Sequence, residues 1–134
     1  IRQQGADRAV RPDGVAKAVD EWTNGVGADA VLELVGTATM PATFGALAKG
    51  GRMVIVGSHT GTDWEIDTGA IYRRELEILG SRNVSVAELA EVVDLVAAGR
   101  IRPIVGGTFP LDAAEDLQQR VADGTVIGRE VLVP

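Results

Sequence analysis

Glycines with a chemically meaningful spacing occur early in the chain. Gly25, Gly27 and Ala30 fit the pattern G-x-G-x-x-A, which in dinucleotide-binding folds lets a pyrophosphate approach the backbone. That chemistry requires the glycines to lie between a strand and the helix after it, because the phosphate sits at the helix N-terminus. Here an amphipathic helix precedes the glycines and an apolar strand follows them. The order therefore favours a helix-to-strand turn over a phosphate-binding loop.

A second group of glycines ends three predicted apolar strands, and each is followed directly by a residue with a hydroxyl group. The pairs are Gly36-Thr37, Gly57-Ser58 and Gly80-Ser81. In open parallel sheets, ligands bind outside the carboxyl ends of the strands. Glycine lets a flat ligand lie against the backbone there, and a hydroxyl adds a hydrogen bond. Each glycine taken singly is better explained as a simple strand end, but three along one edge shift the balance modestly towards a ligand site.

Few other side chains could carry chemistry. The chain has no cysteine and one histidine, which excludes a thiolate zinc site, a cysteine nucleophile and a histidine cluster within it. His59 is expected to be a solvated loop residue rather than a proton shuttle, and Tyr72 to be a packing residue. Glu33 lies in a predicted buried strand, where a carboxylate needs a partner. Either a cofactor ribose or a neighbouring backbone could be that partner.

Composition and charge narrow the class of protein. Hydrophobic residues make up 46% and aromatic residues 4%, so the core must be aliphatic, as in a helix-covered parallel sheet. The net charge is -6 and the basic residues are scattered, which disfavours nucleic-acid and anionic-membrane partners. No apolar run approaches the roughly 18 residues that span a bilayer, and no signal-type amino terminus is present. We therefore expect a cytoplasmic protein. The start at Ile1, in what reads as a helix end, leads us to expect a truncated or processed chain.

Hydrophobic periodicity predicts strands alternating with helices, which is typical of a parallel α/β sheet. The predicted strands are 8–11, 28–35, 52–58 and 76–81, followed by an extended piece at 104–111 and a last strand at 128–134. The predicted helices are 13–23 with Asp13 as cap, one from Thr37 or Thr39 to Lys49, 68–75, 86–98 with Ser85 as cap, and 112–122. Residues 63–67 alternate between polar and apolar.

Five segments together resemble the carboxyl-terminal half of the medium-chain dehydrogenase/reductase superfamily, the zinc-type alcohol dehydrogenase and quinone reductase group. They are GADAVLELVG, ALAKGGRMVIVGS, RRELEILGSR, LVAAGRIRPIVG and GREVLVP, in order over nearly the whole chain. The resemblance implies an α/β fold: a partial Rossmann domain, a doubly wound parallel sheet with strands three to six of the family, in residues 1–102. Residues 103–134 would be an α+β return segment that belongs to the family's catalytic domain.

The resemblance also implies a set of cofactor-binding residues. They are Val35 and Gly36 along the cofactor cleft, Gly57 and Ser58 beside the nicotinamide ribose, Ser81, Arg82 and Asn83 against the carboxamide, and Arg129 near the pyrophosphate. The expected cofactor is NAD or NADP. Zinc, in members that use it, would be held by the amino-terminal domain and not by this segment. No catalytic residue and no metal ligand is expected here.

Two functions remain open. By resemblance, the chain is the cofactor-binding portion of an oxidoreductase that acts on a small alcohol, carbonyl or enone substrate and is not catalytic alone. The alternative is a non-catalytic module that self-associates or binds a partner chain. A homodimer built on the strand at 76–80 is a further expectation from the resemblance. The strand at 28–35 is expected to be an unpaired edge that takes up a second copy or the strand at 8–11.

Overall fold

The computed structural model describes residues 5–134, which form two compact units, the first ending at Asn83 and the second spanning Val84–Pro134. Of the predicted helix end IRQQGA, residues 1–4 lie outside the described residues, and residues 5 and 6 are not helical. The first unit contains α1 (Val15–Thr23), β1 (Ala28–Glu33), α2 (Met40–Gly45), β2 (Leu47–Ile55), α3 (Thr68–Arg74) and β3 (Glu77–Gly80), preceded by a 3-10 turn at Pro12–Gly14. The second contains α4 (Val86–Ala97), β4 (Val105–Pro110), a 3-10 turn at Leu111–Ala113, α5 (Ala114–Ala122) and β5 (Arg129–Val133).

The sheet of the first unit is parallel, with strand order β1-β2-β3. Helices α2 and α3 connect successive strands, so the unit contains two strand-helix-strand crossovers. The central register places Val31 beside Met53 and Met53 beside Ile78. This arrangement confirms the predicted α/β class with a parallel sheet.

The core of the first unit lies on one face of the sheet. Met53 is fully buried there against Phe44, Leu47 and Leu76. The Trp64 ring meets the Phe44 ring edge to face, with centroids 5.2 Å apart. Because successive strand residues point to opposite faces, the neighbouring apolar residues lie on the other face. That face, which we call the open face, carries exposed Leu32 and Leu79.

The second unit contains a parallel pair, β4 and β5, joined through α5. Leu117 is its buried residue, and the Arg120 guanidinium lies 5.5 Å from the Phe109 ring centroid. The predicted cap of α4 is confirmed. Ser85 accepts from the Glu88 N–H, and the Glu88 carboxylate accepts from the Ser85 N–H, which forms a capping box.

The prediction of a strand at residues 8–11 is wrong. These residues form no strand, because a strand requires a hydrogen-bonded neighbour and none pairs with them in the described chain. Asp13 is not a helix cap either. It lies inside the 3-10 turn Pro12–Gly14, whose proline fixes the backbone for a tight turn before α1 begins at Val15.

The predicted helix ending at Lys49 is too long. Helix α2 stops at Gly45, and Leu47–Lys49 already belong to β2, where Leu47 and Ala48 are buried. Tertiary burial thus overrides the helical spacing of this segment. Strand β2 ends at Ile55 rather than Ser58, and residues 63–67 form no strand. Tyr72 is 83% exposed, so the expectation that it packs is also wrong.

Candidate functional site

The first glycine cluster forms a turn from helix to strand, as its order predicts. Asn24, in the left-handed conformation, caps the C-terminus of helix α1. The Gly27 N–H donates to the Thr23 hydroxyl at 2.9 Å. Gly27 has φ +96°, and a Cβ added there would lie 2.7 Å from the Ala48 backbone nitrogen. The glycine therefore permits a close backbone crossing. It lies between α1 and β1, which is the reverse of the strand-to-helix order that a phosphate site needs.

The carboxyl ends of β1 and β2 continue into two loops that are bonded to each other. We call residues 34–39 the first rim loop and residues 56–61 the second rim loop. The Thr37 hydroxyl donates to the Thr60 carbonyl at 3.0 Å. The Thr60 hydroxyl donates to the Val35 carbonyl at 3.1 Å and accepts from the Ala38 N–H at 3.1 Å. Three side-chain hydrogen bonds therefore join the two loops at this edge of the sheet.

The rim glycines permit this close approach. Gly36 has φ +109°, and an added Cβ would lie 2.8 Å from the Gly61 carbonyl oxygen and 3.0 Å from the Ser58 Cα. A Cβ on Gly57 would lie 2.5 Å from the Leu34 carbonyl oxygen. Real side chains do not fit at such distances. Loop-to-loop packing thus explains the identity of these two glycines without any ligand.

Glu33, the last residue of β1, accepts hydrogen bonds from the first rim loop. Its side chain is 2% exposed. One carboxylate oxygen accepts from the N–H groups of Val35 and Gly36, at 2.8 and 3.1 Å, and from the Thr39 hydroxyl at 2.8 Å. The other oxygen accepts from the Thr43 hydroxyl at 2.8 Å. Of the two partners left open by the sequence, the structure provides the neighbouring backbone, together with two threonines of the following helix segment.

The pKa of Glu33 is set by two opposing effects. Desolvation by burial raises it, and the hydrogen bonds from Val35, Thr39, Gly36 and Thr43 lower it. The bonds prevail, and the pKa of this carboxyl lies below its ordinary value. Glu33 is therefore a carboxylate at neutral pH, balanced by neutral donors rather than by a cation.

An open cleft of about 390 Å³ lies between the ends of β2 and β3. Its lining residues are Ile55, Val56, Gly57, Ser58, Gly80, Ser81 and Arg82. The structure thus brings together four of the predicted site residues, two from each side of the cleft. Peptide groups, two serine hydroxyls and one guanidinium form a donor set that suits sugar hydroxyls, an amide or a phosphate.

The other predicted site residues lie elsewhere. Val35 and Gly36 are in the first rim loop and do not line the cleft. Gly36 packs against Ser58. Asn83 has φ +63° at the end of the first unit. Arg129 begins β5 of the second unit, where its N–H donates to the Ile104 carbonyl at 2.8 Å. It lines a separate cavity of about 310 Å³ with Leu117 and Glu130, among others.

The threonines of the rim are the functional residues that sequence reasoning did not connect. Thr39 and Thr43 are four residues apart, which places their hydroxyls on one side of a helical turn, and both follow a buried glutamate. That spacing was a usable signal. The bonding of Thr60 to the first rim loop has no comparable signal, because it joins positions more than twenty residues apart.

Within residues 5–134, no group of three or more histidine, cysteine, aspartate or glutamate residues is placed to hold a metal ion. No helix in the same range is both long enough and apolar enough to cross a bilayer.

Comparison with known proteins places this geometry in a family. A sequence model described as zinc-binding dehydrogenase matches residues 4–132. An NAD-dependent alcohol dehydrogenase of Sulfurisphaera tokodaii is 31% identical over 84% of this chain and 32% of its own length. The D-arabinose 1-dehydrogenase (NADP(+)) of Saccharolobus solfataricus is 30% identical over 97% of this chain and 37% of its own.

A solved structure has the same fold over nearly all of the chain. The alcohol dehydrogenase from Aeropyrum pernix superposes with a TM-score of 0.91 at 33% identity, covering 99% of this chain and 38% of that one. The chain therefore spans about a third of the length of the relatives it matches.

Proposed function

Since the chain belongs to the zinc-binding dehydrogenase family, within the medium-chain dehydrogenase/reductase superfamily, we propose that it forms the nicotinamide-side wall of an NAD or NADP site. The observation that carries the proposal is the cleft at the carboxyl ends of β2 and β3. Gly57, Ser58, Ser81 and Arg82 meet there, at the edge where open parallel sheets bind ligands.

Each residue has a distinct task in this proposal. The backbone at Gly57 and the Ser58 hydroxyl contact the nicotinamide ribose, and the peptide groups at Ser81, Arg82 and Asn83 contact the carboxamide. Val35 and Gly36 support the cleft by contacting the second rim loop. Arg129 pairs with the pyrophosphate, since a guanidinium matches phosphate oxygens. The bound cofactor supplies the hydride chemistry, and these residues orient it and exclude water.

We propose further that the whole enzyme acts on a small alcohol, carbonyl or enone substrate in the cytoplasm. The enzyme is a homodimer whose subunits meet at β3. Residues 1–102 belong to the nucleotide-binding domain and 103–134 to the catalytic domain. Within residues 5–134 no G-x-G-x-x-G pattern lies between a strand and the helix after it, and we propose that this chain alone does not catalyse the reaction. Any zinc would be bound outside it.

Titration of the ¹⁵N-labelled chain with NADH and with NADPH, followed by amide NMR shifts, tests the site. Without a phosphate-binding turn we expect weak binding, with Kd on the order of 1 mM. The shift changes should cluster at the amides of Gly57, Ser58, Ser81 and Arg82. Arg82→Ala removes the guanidinium from the donor set of the cleft and should weaken binding severalfold, whereas Arg100→Ala, at an exposed arginine on neither side of the cleft, should not. Shifts spread over other regions, or none with either cofactor, would reject the site.

The alternative is a self-associating module, and one observation favours it. Strand β1 is an edge of the described sheet, and it carries exposed Leu32 on the open face. Unpaired edges with apolar surroundings recruit further strands. A negative cofactor titration together with concentration-dependent association would favour this alternative.

A further inference from the structure

Glu33 has a bonding pattern that burial alone does not explain. It is the buried charged residue of the described core, and no lysine or arginine of residues 5–134 forms an ion pair with it. A buried carboxylate is costly unless its lone pairs are satisfied. Here four neutral donors satisfy them. Three of these donors belong to the first rim loop, so the stabilisation of the charge depends on the conformation of that loop.

The oxygen that faces the rim determines how the peptide groups after β1 are oriented. Because the Val35 and Gly36 N–H groups both point inward to this oxygen, the chain must turn at Gly36, which has φ +109°. The Val35 carbonyl then accepts from both the N–H and the hydroxyl of Thr60, at 2.9 and 3.1 Å. Contacts therefore run continuously from Glu33 through Val35 to the second rim loop.

The second rim loop carries the cleft residues. Gly36 packs so closely on Ser58 that a Cβ added at Gly36 would lie 3.0 Å from the Ser58 Cα. Glu33 itself does not line the cleft. A change at Glu33 can thus alter the cleft only by moving the rim, which separates a positioning role from direct contact.

We propose that Glu33 is a positioning residue, which fixes the two rim loops in the arrangement that presents Gly57 and Ser58 to a nicotinamide cofactor. The inference rests on the proposed function for its ligand. The loop arrangement itself can be tested without any ligand.

The test compares variants of the ¹⁵N-labelled chain. Glutamine at position 33 can keep one oxygen towards the rim donors and turn its NH₂ group to the Thr43 hydroxyl, but Glu33→Gln removes the charge, so the three rim-facing hydrogen bonds become neutral and weaker. We expect amide exchange at Val35, Gly36 and Thr60 to become about tenfold faster. The Kd for NADH should rise about tenfold, because binding must then order the rim.

Thr43→Val is the matched control. It removes the donor to the carboxylate oxygen that faces α2 and leaves the rim-facing bonds in place. We expect it to lower stability without changing rim exchange or the Kd for NADH. Equal effects of Glu33→Gln and Thr43→Val on both readouts would mean that Glu33 is merely structural and would overturn the inference.

A second variant covers the case in which Glu33→Gln does not fold. Thr60 is exposed, and Thr60→Val removes only the hydroxyl bonds between the loops. Exchange should then rise in residues 56–61 while Val35 and Gly36 stay protected, and Thr60→Ser should restore the wild-type pattern. Unchanged exchange in the second rim loop would overturn the inference. If the wild-type chain binds neither NADH nor NADPH, the proposed function fails, and the exchange data alone decide the role of Glu33.

Discussion

At the scale of single residues, Gly36 provides a sharp test of the rim geometry. Alanine there would have to adopt φ +109° and place its Cβ 2.8 Å from the Gly61 carbonyl oxygen. We expect Gly36→Ala to lower the free energy of unfolding by at least about 2 kcal/mol, measured by urea denaturation. Gly80→Ala is the control, because nothing lies within 4 Å of its added Cβ, and it should change stability by less than about 0.5 kcal/mol. Similar losses in both variants would contradict the packing described for the rim.

The lowered pKa of Glu33 predicts how stability depends on pH. Because the folded pKa lies below the ordinary value of 4.5, the carboxylate stabilises the fold fully above that pH. The stabilisation is lost as pH falls through the folded pKa. At pH 7, Glu33→Gln should cost about 1–3 kcal/mol of unfolding free energy, since the buried donors then bond to a neutral amide oxygen instead of a carboxylate.

Comparing wild type with Glu33→Gln shows in which direction the Glu33 contribution to stability changes with pH. The difference in unfolding free energy between wild type and Glu33→Gln should be constant near neutrality and should shrink below pH 4.5. Urea titrations at several pH values measure it. A difference that grows on acidification would show that the folded pKa is raised instead.

The same residue shows how far sequence reasoning reaches. A glutamate inside an apolar strand indicates a buried, partnered carboxylate, and this is what the structure contains. The sequence does not identify the partner, because the turn at Gly36 brings the N–H groups of Val35 and Gly36 back towards the strand. Hydroxyl partners four residues apart would have been the useful clue.

At the scale of elements, helix α4 depends on its capping box. Ser85→Ala removes the acceptor for the Glu88 N–H and should lower the unfolding free energy by about 1 kcal/mol. Ser85→Asp keeps an acceptor at the same position and should retain most of the stability. The Ser85 hydrogen bonds lower the pKa of Glu88, so this cap should also weaken at acidic pH as Glu88 becomes protonated. Equal stability of the alanine and aspartate variants would refute this account of the cap.

Elements defined by local chemistry were predictable, and elements defined by their neighbours were not. Helix α4 was predicted nearly to its observed ends, because a serine cap begins it and Gly99 in the left-handed conformation follows it. The strand predicted at residues 8–11 does not form, because pairing requires a partner strand. The segment Leu47–Lys49 has helical spacing but lies in β2, because the burial of Leu47 and Ala48 outweighs a weak local preference for helix.

At the scale of the whole molecule, the parallel sheet could be predicted from the order of the elements, and the family from the resemblance of five sequence segments. The cleft was accessible too, because strand ends in a parallel sheet share an edge. The open face was not. Its residues read as ordinary alternating strand positions, yet Leu32 is 63% exposed and Leu79 is 45% exposed. Which face of a strand is covered depends on helices elsewhere in the chain, and the pattern within the strand does not specify them.

The open face and the β1 edge lead to the last prediction. An apolar surface beside an unpaired strand favours contact with a second copy of the chain. We expect the wild-type chain to associate reversibly as its concentration rises, measured by sedimentation velocity. Leu32→Lys places a charge on the open face beside the β1 edge and should shift the chain towards monomer. Val86→Lys makes the same change at a residue that is 87% exposed at the start of α4, and it should leave association unchanged. If both variants associate like the wild type, contact forms elsewhere. If the wild type stays monomeric at all concentrations, the self-associating alternative is excluded, and β3 does not form a homodimer in this chain alone; the cofactor site then remains the better account of this chain.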